Sequence, residues 1–260
     1  MTDEQPVLQD RLAALKAATT ARIFLPTAGS AVATRASLAF QLAHANARDA
    51  VEDRLDAEAL ADKLRARGLE APLVESAATS RRAYLMRPDL GRRLAEPARA
   101  RLLPLAGDDD LFFVVADGLS ARAVEAHALA LLDAALPLFR AKAWKIGPVV
   151  VVSQGRVAIG DEIGALLGAK LVVVLIGERP GLSSPDSLGA YLTFAPRIGC
   201  VDAERNCLSN IRREGMGYAE AAARLFYLAT EALRRKASGV ALKDEFGDTD
   251  SAPLLDGHDG

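Results

Sequence analysis

The sequence predicts an α/β protein whose core is a mostly parallel, doubly wound sheet. In the second half of the chain, short apolar runs alternate with segments of helical spacing, which is the pattern of parallel strands joined by helices. The runs are rich in β-branched residues, as expected of strands that are buried on both faces. We therefore predict a Rossmann-like domain over residues 108–243, a small, mainly helical region over residues 1–107 and a disordered tail over residues 244–260.

The predicted amino-terminal region consists mainly of helices. Leucines recur at helical spacing over residues 7–18, and an Ala-rich helix is predicted over residues 37–55. A further helix over residues 56–67 ends at Gly68. The acidic run at residues 107–110 is the predicted boundary with the second domain.

The second domain is organised around the apolar run from Leu171 to Gly177, which we predict to be a central parallel strand. Pro180 prevents its continuation, so that Glu178 and Arg179 lie at the carboxyl edge of the sheet, where open α/β sheets bind their ligands. The other predicted strands cover residues 111–117, 147–153 and 191–196, and the longest predicted helices cover residues 121–142 and 217–236. Because strands and helices alternate, we expect right-handed crossovers and a shared carboxyl edge.

An arginine-rich segment covers residues 80–94 and contains five arginines. We predict an extended stretch, AYLM, followed by a turn at Pro-Asp-Leu-Gly, so that the arginines are held on a defined backbone. Two interpretations remain open: a solvated charged face, or a surface that docks an acidic partner or a polar ligand.

The composition excludes several classes of protein. The net charge of −2, with both signs interspersed, gives no basic surface for nucleic acid or for an anionic membrane. No segment has the length of a transmembrane helix, and the acidic amino terminus is not a secretory signal, so we expect a cytoplasmic protein. Cys200 and Cys207 have the spacing of neither a disulfide framework nor a zinc site, and both are expected to be reduced.

Common catalytic and nucleotide-binding motifs are absent from the sequence. No Gly-x-Gly-x-x-Gly follows a strand, no Gly-x-Ser-x-Gly is present, and GALLGAK at residues 164–170 lacks the spacing of a phosphate-binding loop. His44, His127 and His258 are scattered, and we interpret the two helical ones as ordinary core or surface residues, with no metal site in the chain. The loops expected to follow the strands are residues 116–120, 155–157, 177–180 and 205–210. Together they outline a broad, shallow rim, which suits a large planar ligand or a partner better than a small substrate.

Several sequence blocks, in this order, resemble one family: ADGLSA, QGRVAIGDEIGALLGAK, VVVLIGERPGLSSPDSLGAYLTFAPR, AERNCLSNI and RRKASG. From about Arg22 to Gly239 the chain resembles the small subunit of adenosylcobalamin-dependent ethanolamine ammonia-lyase. The resemblance implies a carbon–nitrogen lyase that converts ethanolamine to acetaldehyde and ammonia by a radical mechanism. It also implies a large barrel subunit that carries the catalytic residues, while the small subunit covers the cobalamin in a higher oligomer of heterodimers.

The resemblance assigns the cobalamin contacts to Val157 in GRV, Glu178 in GERP and Cys207 in NCLSN. Val157 is expected to lie against the corrin ring, and Glu178 to accept hydrogen bonds from its amide side chains. Cys207 is expected to act through its backbone or a weak thiol contact and not as a nucleophile. The resemblance places no catalytic residue in this chain.

Two other functions remain as alternatives to this reading: a stand-alone Rossmann-like enzyme with a nucleotide cofactor, and an interaction subunit without a role in catalysis. The chain has Pro26-Thr27 where the family commonly has a Gly-Arg pair. Some relatives carry a longer amino-terminal extension that directs them to a bacterial microcompartment. Only residues 1–21 precede the matching region here, so encapsulation is not expected.

Overall fold

The computed structural model describes residues 12–19 and 21–247, which form a mixed α/β fold. The strands are β1 (Thr27–Ala28), β2 (Ala31–Val32), β3 (Leu73–Glu75), β4 (Leu111–Ala116), β5 (Ile146–Ser153), β6 (Leu171–Gly177), β7 (Leu188–Phe194) and β8 (Arg205–Ile211). The helices are α1 (residues 12–17), α2 (Thr34–Glu52), α3 (Ala57–Arg65), α4 (Arg81–Met86), α5 (Glu96–Leu102), α6 (Ala121–Ala141), α7 (Ile159–Leu167) and α8 (Tyr218–Arg235). Short 3₁₀ turns cover Leu90–Arg92, Leu103–Leu105, Asp202–Glu204 and Gly239–Ala241.

The main sheet is mostly parallel, as predicted, and its strand order is β3-β5-β4-β6-β7-β8. Within this sheet, β3, β5, β4 and β6 run parallel to one another. Strand β7 is antiparallel to β6, and β8 is antiparallel to β7. The organising run, β6, is fully buried and lies inside the sheet, but it is parallel to β4 alone. Residues 178–187, which link β6 to β7, contain no helix. They are too few for a crossover, so the next strand returns antiparallel.

Helices cover both faces of the sheet. On β6, the side chains of Leu171, Val173 and Leu175 pack in one core cluster with α3, α6 and α8, and we call this side the α6 face. The alternate side chains, Val172 and Val174 among them, pack in a second cluster with α5 and α7, on what we call the α7 face. Successive side chains of a buried strand point to opposite faces of the sheet, so the strand contributes to two separate cores.

The amino-terminal region is mainly helical, but it also contributes a strand to the main sheet. Leu73 pairs with Val151 of β5, so that β3 forms one edge of the sheet. Helix α3 packs on the α6 face and α5 on the α7 face. In contrast, α2 has only one buried residue, Ala50. Strand β3 is not predictable from the sequence, because three residues are too few to show an alternating pattern.

The prediction of extended backbone in the arginine-rich segment is wrong. Residues Arg81–Met86 form helix α4, and the Ser80 hydroxyl caps it by accepting a hydrogen bond from the N–H of Ala83 at 3.2 Å. A serine in this position satisfies one of the free N–H groups of the first turn. The helix ends before Pro88, which restricts the backbone of the residue that precedes it.

The prediction of a strand-end loop over Arg205–Asn210 is also wrong, because these residues belong to β8. Leu208 and Ile211 are the buried side chains that face the α6-face core, and they lie three residues apart. The register of β8 against β7 shifts between the partners of Leu188 and Ala190, which are Ile211 and Leu208. The shift breaks the period of two and so hides the strand from pattern analysis.

The two termini are described only in part. The predicted helix over residues 7–18 is helical over residues 12–17, and residues 248–260 of the predicted tail lie outside the described residues. In the described part of the tail, Asp244 pairs with Arg224 at 3.2 Å and the Phe246 ring packs against Tyr227. None of the helices within residues 12–19 and 21–247 could cross a membrane.

Candidate functional site

The carboxyl edge of the sheet is closed between β4 and β5. The connections from these neighbouring strands leave to opposite faces, through α6 and α7, and open α/β sheets commonly bind ligands at such a point. Here the buried carboxylate of Asp117 accepts hydrogen bonds from the backbone N–H groups of Gly118 (2.9 Å), Gln154 (2.9 Å) and Gly155 (3.1 Å). The chain's own carboxylate therefore occupies the donors that a phosphate group would need.

Helix α4 seals this closed crevice. Arg81 donates hydrogen bonds to the carbonyl oxygens of Gly118 (2.8 Å) and Val51 (2.6 Å). The fully buried Tyr84 ring lies 4.7 Å from the Arg81 guanidinium carbon and 4.1 Å from that of Arg156, and burial raises the pKa of Tyr84 to about 12. Arg81 therefore stabilises the fold. The other arginines of the segment are exposed: Arg82, Arg87, Arg92 and Arg93.

Glu178 lies at the end of β6 and is fixed by the loop that follows it, residues 178–187, which we call the strap. The strap closes on itself, because the Glu178 N–H donates to the Ser187 carbonyl oxygen at 2.9 Å. Glu178 Oε2 accepts a short hydrogen bond from the Ser187 hydroxyl and a second from the Asn210 N–H at 3.2 Å. Within the described residues neither a hydrogen bond to Oε1 nor an ion pair with an arginine is formed. Oε1 is therefore free to accept from a ligand.

Tyr191 links Glu178 to Cys207. Tyr191 pairs with Cys207 across β7 and β8, so the two side chains are neighbours on the same face of the sheet. Cys207 is exposed as a residue, yet its sulfur lies against Tyr191. Burial of this sulfur and the nearby Glu178 charge raise the pKa of the Cys207 thiol. The thiol is therefore neutral at physiological pH, which excludes an activated nucleophile.

Gly189 lies next to Glu178 and Tyr191, and its lack of a side chain allows these two groups to approach each other. A Cβ at this position would lie 3.0 Å from Glu178 Oε1 and 3.0 Å from Tyr191 Cε2. Glu178, Tyr191 and Cys207, with the buried Gly189 beneath them, thus form one continuous surface, which we call the platform. Tyr191 packs against the α7-face core, so the platform lies on that face.

Val157 belongs to the loop between β5 and α7 and is partly buried. It packs against the same core cluster as Tyr191, on the α7 face of the sheet. The loop is held in place by Arg156, whose N–H donates to the Gly91 carbonyl oxygen at 2.7 Å and whose guanidinium donates to the Tyr84 carbonyl oxygen at 3.1 Å. Of the three predicted site residues, the structure brings Glu178 and Cys207 together through Tyr191 and places Val157 on the same face.

Gly189, Tyr191 and Asn210 are parts of the site that the sequence pattern does not predict. Asn210 has a left-handed backbone (φ 58°), which directs its N–H to Glu178. Asparagine is one of the few residues that adopt this conformation readily, and this is the only signal that the sequence offers for it. The role of Tyr191 depends on the pairing of β7 with β8, which the sequence pattern does not reveal.

The histidines within the described residues do not form a metal site. His44 is exposed on α2, His127 is buried on α6, and His258 lies outside the described residues. Within residues 12–19 and 21–247, no group of three or more His, Cys, Asp or Glu side chains could hold a metal ion.

Comparisons with known proteins agree on one family. The family model described as "Ethanolamine ammonia-lyase light chain (EutC)" matches residues 9–243. The ethanolamine ammonia-lyase small subunit of Azotobacter vinelandii is 55% identical over 249 residues, which cover 94% of this chain and 92% of that protein. The protein of the same name from Xanthomonas campestris pv. campestris strain ATCC 33913 is 56% identical over 241 residues, which cover 91% and 89%. The chain therefore belongs to the ethanolamine ammonia-lyase light-chain family, a family of lyase subunits, as the sequence resemblance implied.

Proposed function

We propose that the chain is the small subunit of an adenosylcobalamin-dependent ethanolamine ammonia-lyase and holds the cobalamin between the platform and a large catalytic subunit. The reaction converts ethanolamine to acetaldehyde and ammonia in the cytoplasm, in an oligomer of such subunit pairs. The names of the relatives support the subunit and the substrate. The observation that carries the site is the free Glu178 Oε1 beside Gly189, on a surface with no competing ion pair among the described residues.

The platform suits the chemistry of a corrin ring. A corrin is a wide, largely apolar plane edged with neutral amide side chains, which donate N–H groups. Glu178 Oε1 is a charged acceptor for such a donor, and its other oxygen is already fixed by Ser187 and Asn210. Gly189 is buried beneath the Glu178 carboxylate and the Tyr191 ring, so its missing side chain lets these two groups lie side by side. Val157 offers an apolar contact on the same face.

The residues of this chain bind and shield the cofactor and do not take part in the reaction. The cofactor supplies an organic radical when its cobalt–carbon bond breaks. On the platform, the pKa values of the Cys207 thiol and the Tyr191 hydroxyl are both raised by burial, so both groups are neutral at physiological pH. Apolar and neutral groups of this kind exclude water from a bound cofactor. Hydrogen abstraction from ethanolamine is assigned to the site in the large subunit.

The closed crevice at β4 and β5 argues against the alternative of a stand-alone nucleotide-dependent enzyme. The N–H groups of Gln154 and Gly155 are bonded to Asp117, and Tyr84 is fully buried next to them. A nucleotide phosphate would have to displace a buried carboxylate from the place where such ligands commonly bind.

Replacing Glu178 with glutamine tests the proposal. We expect Glu178→Gln to weaken adenosylcobalamin binding by the complex of both subunits by about tenfold, because a hydrogen bond to a charged acceptor contributes about 1.5–3 kcal/mol. Binding is measured by titration of the purified complex, followed by the visible absorption of the cobalamin. The matched control is Glu58→Gln, which removes the same charge from α3 on the α6 face. Equal dissociation constants for the two variants would contradict the proposed site.

Adding a methyl group at Gly189 tests the shape of the platform. In Gly189→Ala, the new Cβ lies 3.0 Å from both Glu178 Oε1 and Tyr191 Cε2, so these groups must move by a few tenths of an ångström. We expect cobalamin binding to weaken severalfold while the stability falls by about 1 kcal/mol. The control is Gly217→Ala, where a Cβ meets no atom within 4 Å. If Gly189→Ala binds cobalamin as tightly as the control does, the ligand does not approach this surface.

A further inference from the structure

The strap connects the platform to a buried histidine on the opposite face of the sheet. Ser187 bonds to Glu178 through both its hydroxyl and its carbonyl oxygen, so the position of the Glu178 carboxylate depends on Ser187. The preceding residue, Asp186, extends the other way, and its Oδ2 lies 3.3 Å from His127 Nε2 on α6. A displacement of Asp186 therefore moves the residue that holds Glu178.

His127 is built as a fixed anchor for Asp186. Its side chain is only 5% exposed, and its Nδ1 lies 2.8 Å from the hydroxyl of Tyr218, at the start of α8. A carboxylate can only accept, so Nε2 carries a hydrogen that it donates to Asp186. In the neutral ring, Nδ1 then accepts from the Tyr218 hydroxyl, and both nitrogens are satisfied. This arrangement fixes the tautomer and the plane of the ring.

The strap has a second attachment next to this pair. The Ser120 hydroxyl, which also caps α6, donates to the Pro185 carbonyl oxygen at 2.9 Å. Three consecutive strap residues are therefore each bound by a different partner: residue 185 by Ser120, residue 186 by His127 and residue 187 by Glu178. Asp186 differs from its neighbours because its side chain is 39% exposed, so that it can be changed without opening the core.

We propose that the His127–Asp186 pair positions Glu178 for cobalamin binding. The pair touches neither the platform nor a ligand on it and acts only through Ser187. This inference rests on the proposed function, since it assigns His127 and Asp186 a role at the same site. It also gives His127 a part in binding, where the sequence indicated an ordinary core or surface residue.

The test compares Asp186→Ala and Asp186→Asn in the complex with the large subunit. We expect Asp186→Ala to weaken adenosylcobalamin binding by about fivefold. Asp186→Asn, which keeps an acceptor oxygen for His127 Nε2, should recover most of this loss. The matched control is Asp62→Ala, an exposed aspartate on α3 that is 73% exposed. An unchanged dissociation constant in Asp186→Ala would overturn the inference.

A double-variant cycle separates positioning from a general structural effect. If Asp186 acts through Glu178, then Asp186→Ala has no further effect in a Glu178→Ala chain, because the acceptor that it positions is absent there. If the two substitutions weaken cobalamin binding by factors that multiply in the double variant, the inference is overturned. It is also overturned if His127→Leu weakens cobalamin binding further in an Asp186→Ala chain. If Glu178→Gln alone leaves the dissociation constant unchanged, the proposed function fails as well. If Glu178→Gln weakens binding and Asp186→Ala does not, only the inference fails.

Discussion

Replacing Gly177 with alanine is expected to lower the free energy of unfolding by about 3–5 kcal/mol, because the added methyl group meets backbone atoms of a neighbouring loop. A Cβ at Gly177 would lie 2.6 Å from the Asp117 carbonyl oxygen and nearer still to that of Ser120. Both are backbone atoms of the loop after β4, and this loop is tied to Gly177 by the Leu119 N–H, which donates to the Gly177 carbonyl oxygen at 2.9 Å. The loop therefore cannot move aside without losing its own hydrogen bonds.

The measurement is the urea midpoint of the full chain, with Gly217→Ala as the control. Gly217 precedes α8, and a Cβ there meets no atom within 4 Å, so that variant should unfold close to the wild type. If the two variants have the same midpoint, the loops after β4 and β6 are not in close contact.

Replacing Arg205 with leucine is expected to cost about 3–5 kcal/mol, because it leaves the buried carboxylate of Asp161 without its partner. The two side chains are 2% and 3% exposed and form a short ion pair between β8 and α7. Arg205 also donates to the Cys200 carbonyl oxygen at 2.8 Å. The double variant Arg205→Leu/Asp161→Leu should regain most of the loss. The control is Arg197→Leu, from an ion pair in which the arginine is 63% exposed, where we expect less than about 1 kcal/mol.

The loss in Arg205→Leu should also depend on pH. Burial raises the pKa of Asp161 above its ordinary value, and Arg205 opposes this shift, so removing Arg205 raises the pKa further. Between the unfolded pKa, about 4, and the raised folded value, the native state binds more protons than the unfolded state. Stability therefore rises as the pH falls through this range. The urea midpoints of Arg205→Leu and the wild type should therefore differ less at pH 5 than at pH 7. An equal difference at both pH values would contradict the raised pKa of Asp161.

The sequence predicted those parts of the fold whose signal is local. The run from Leu171 to Gly177 is apolar throughout because both faces of the strand are covered, and this pattern is visible without any partner. Strands β3 and β8 were not predicted, because their identity depends on pairing. Leu73–Glu75 is too short for a pattern, and Arg205–Ile211 has a shifted register. The helix in the arginine-rich segment depends on the cap at Ser80, and the pattern of the AYLM residues gives no sign of it.

The candidate site likewise has parts that a local sequence pattern predicts and parts that depend on strand pairing. Glu178 could be placed at the carboxyl edge from its position after a buried strand, and the resemblance supplied Val157 and Cys207. The contact between Tyr191 and Cys207 follows from the register of β7 against β8, and the support of Glu178 by Asn210 follows from a bulge. These are contacts between segments distant in the chain, which a single sequence does not encode in a readable pattern.

The pairing of β3 with β5 has a consequence for the order of folding during synthesis. Leu73 leaves the ribosome long before Val151, its partner in the sheet, and β4 with α6 lies between them in the chain. Contacts so distant in sequence form late, because the intervening loop must first be closed. In the nascent chain, β3 therefore stays unpaired, with the Val74 side chain exposed to solvent, until β5 has emerged from the ribosome. Chaperone capture of stalled chains should accordingly be strongest for lengths that end between β3 and β5.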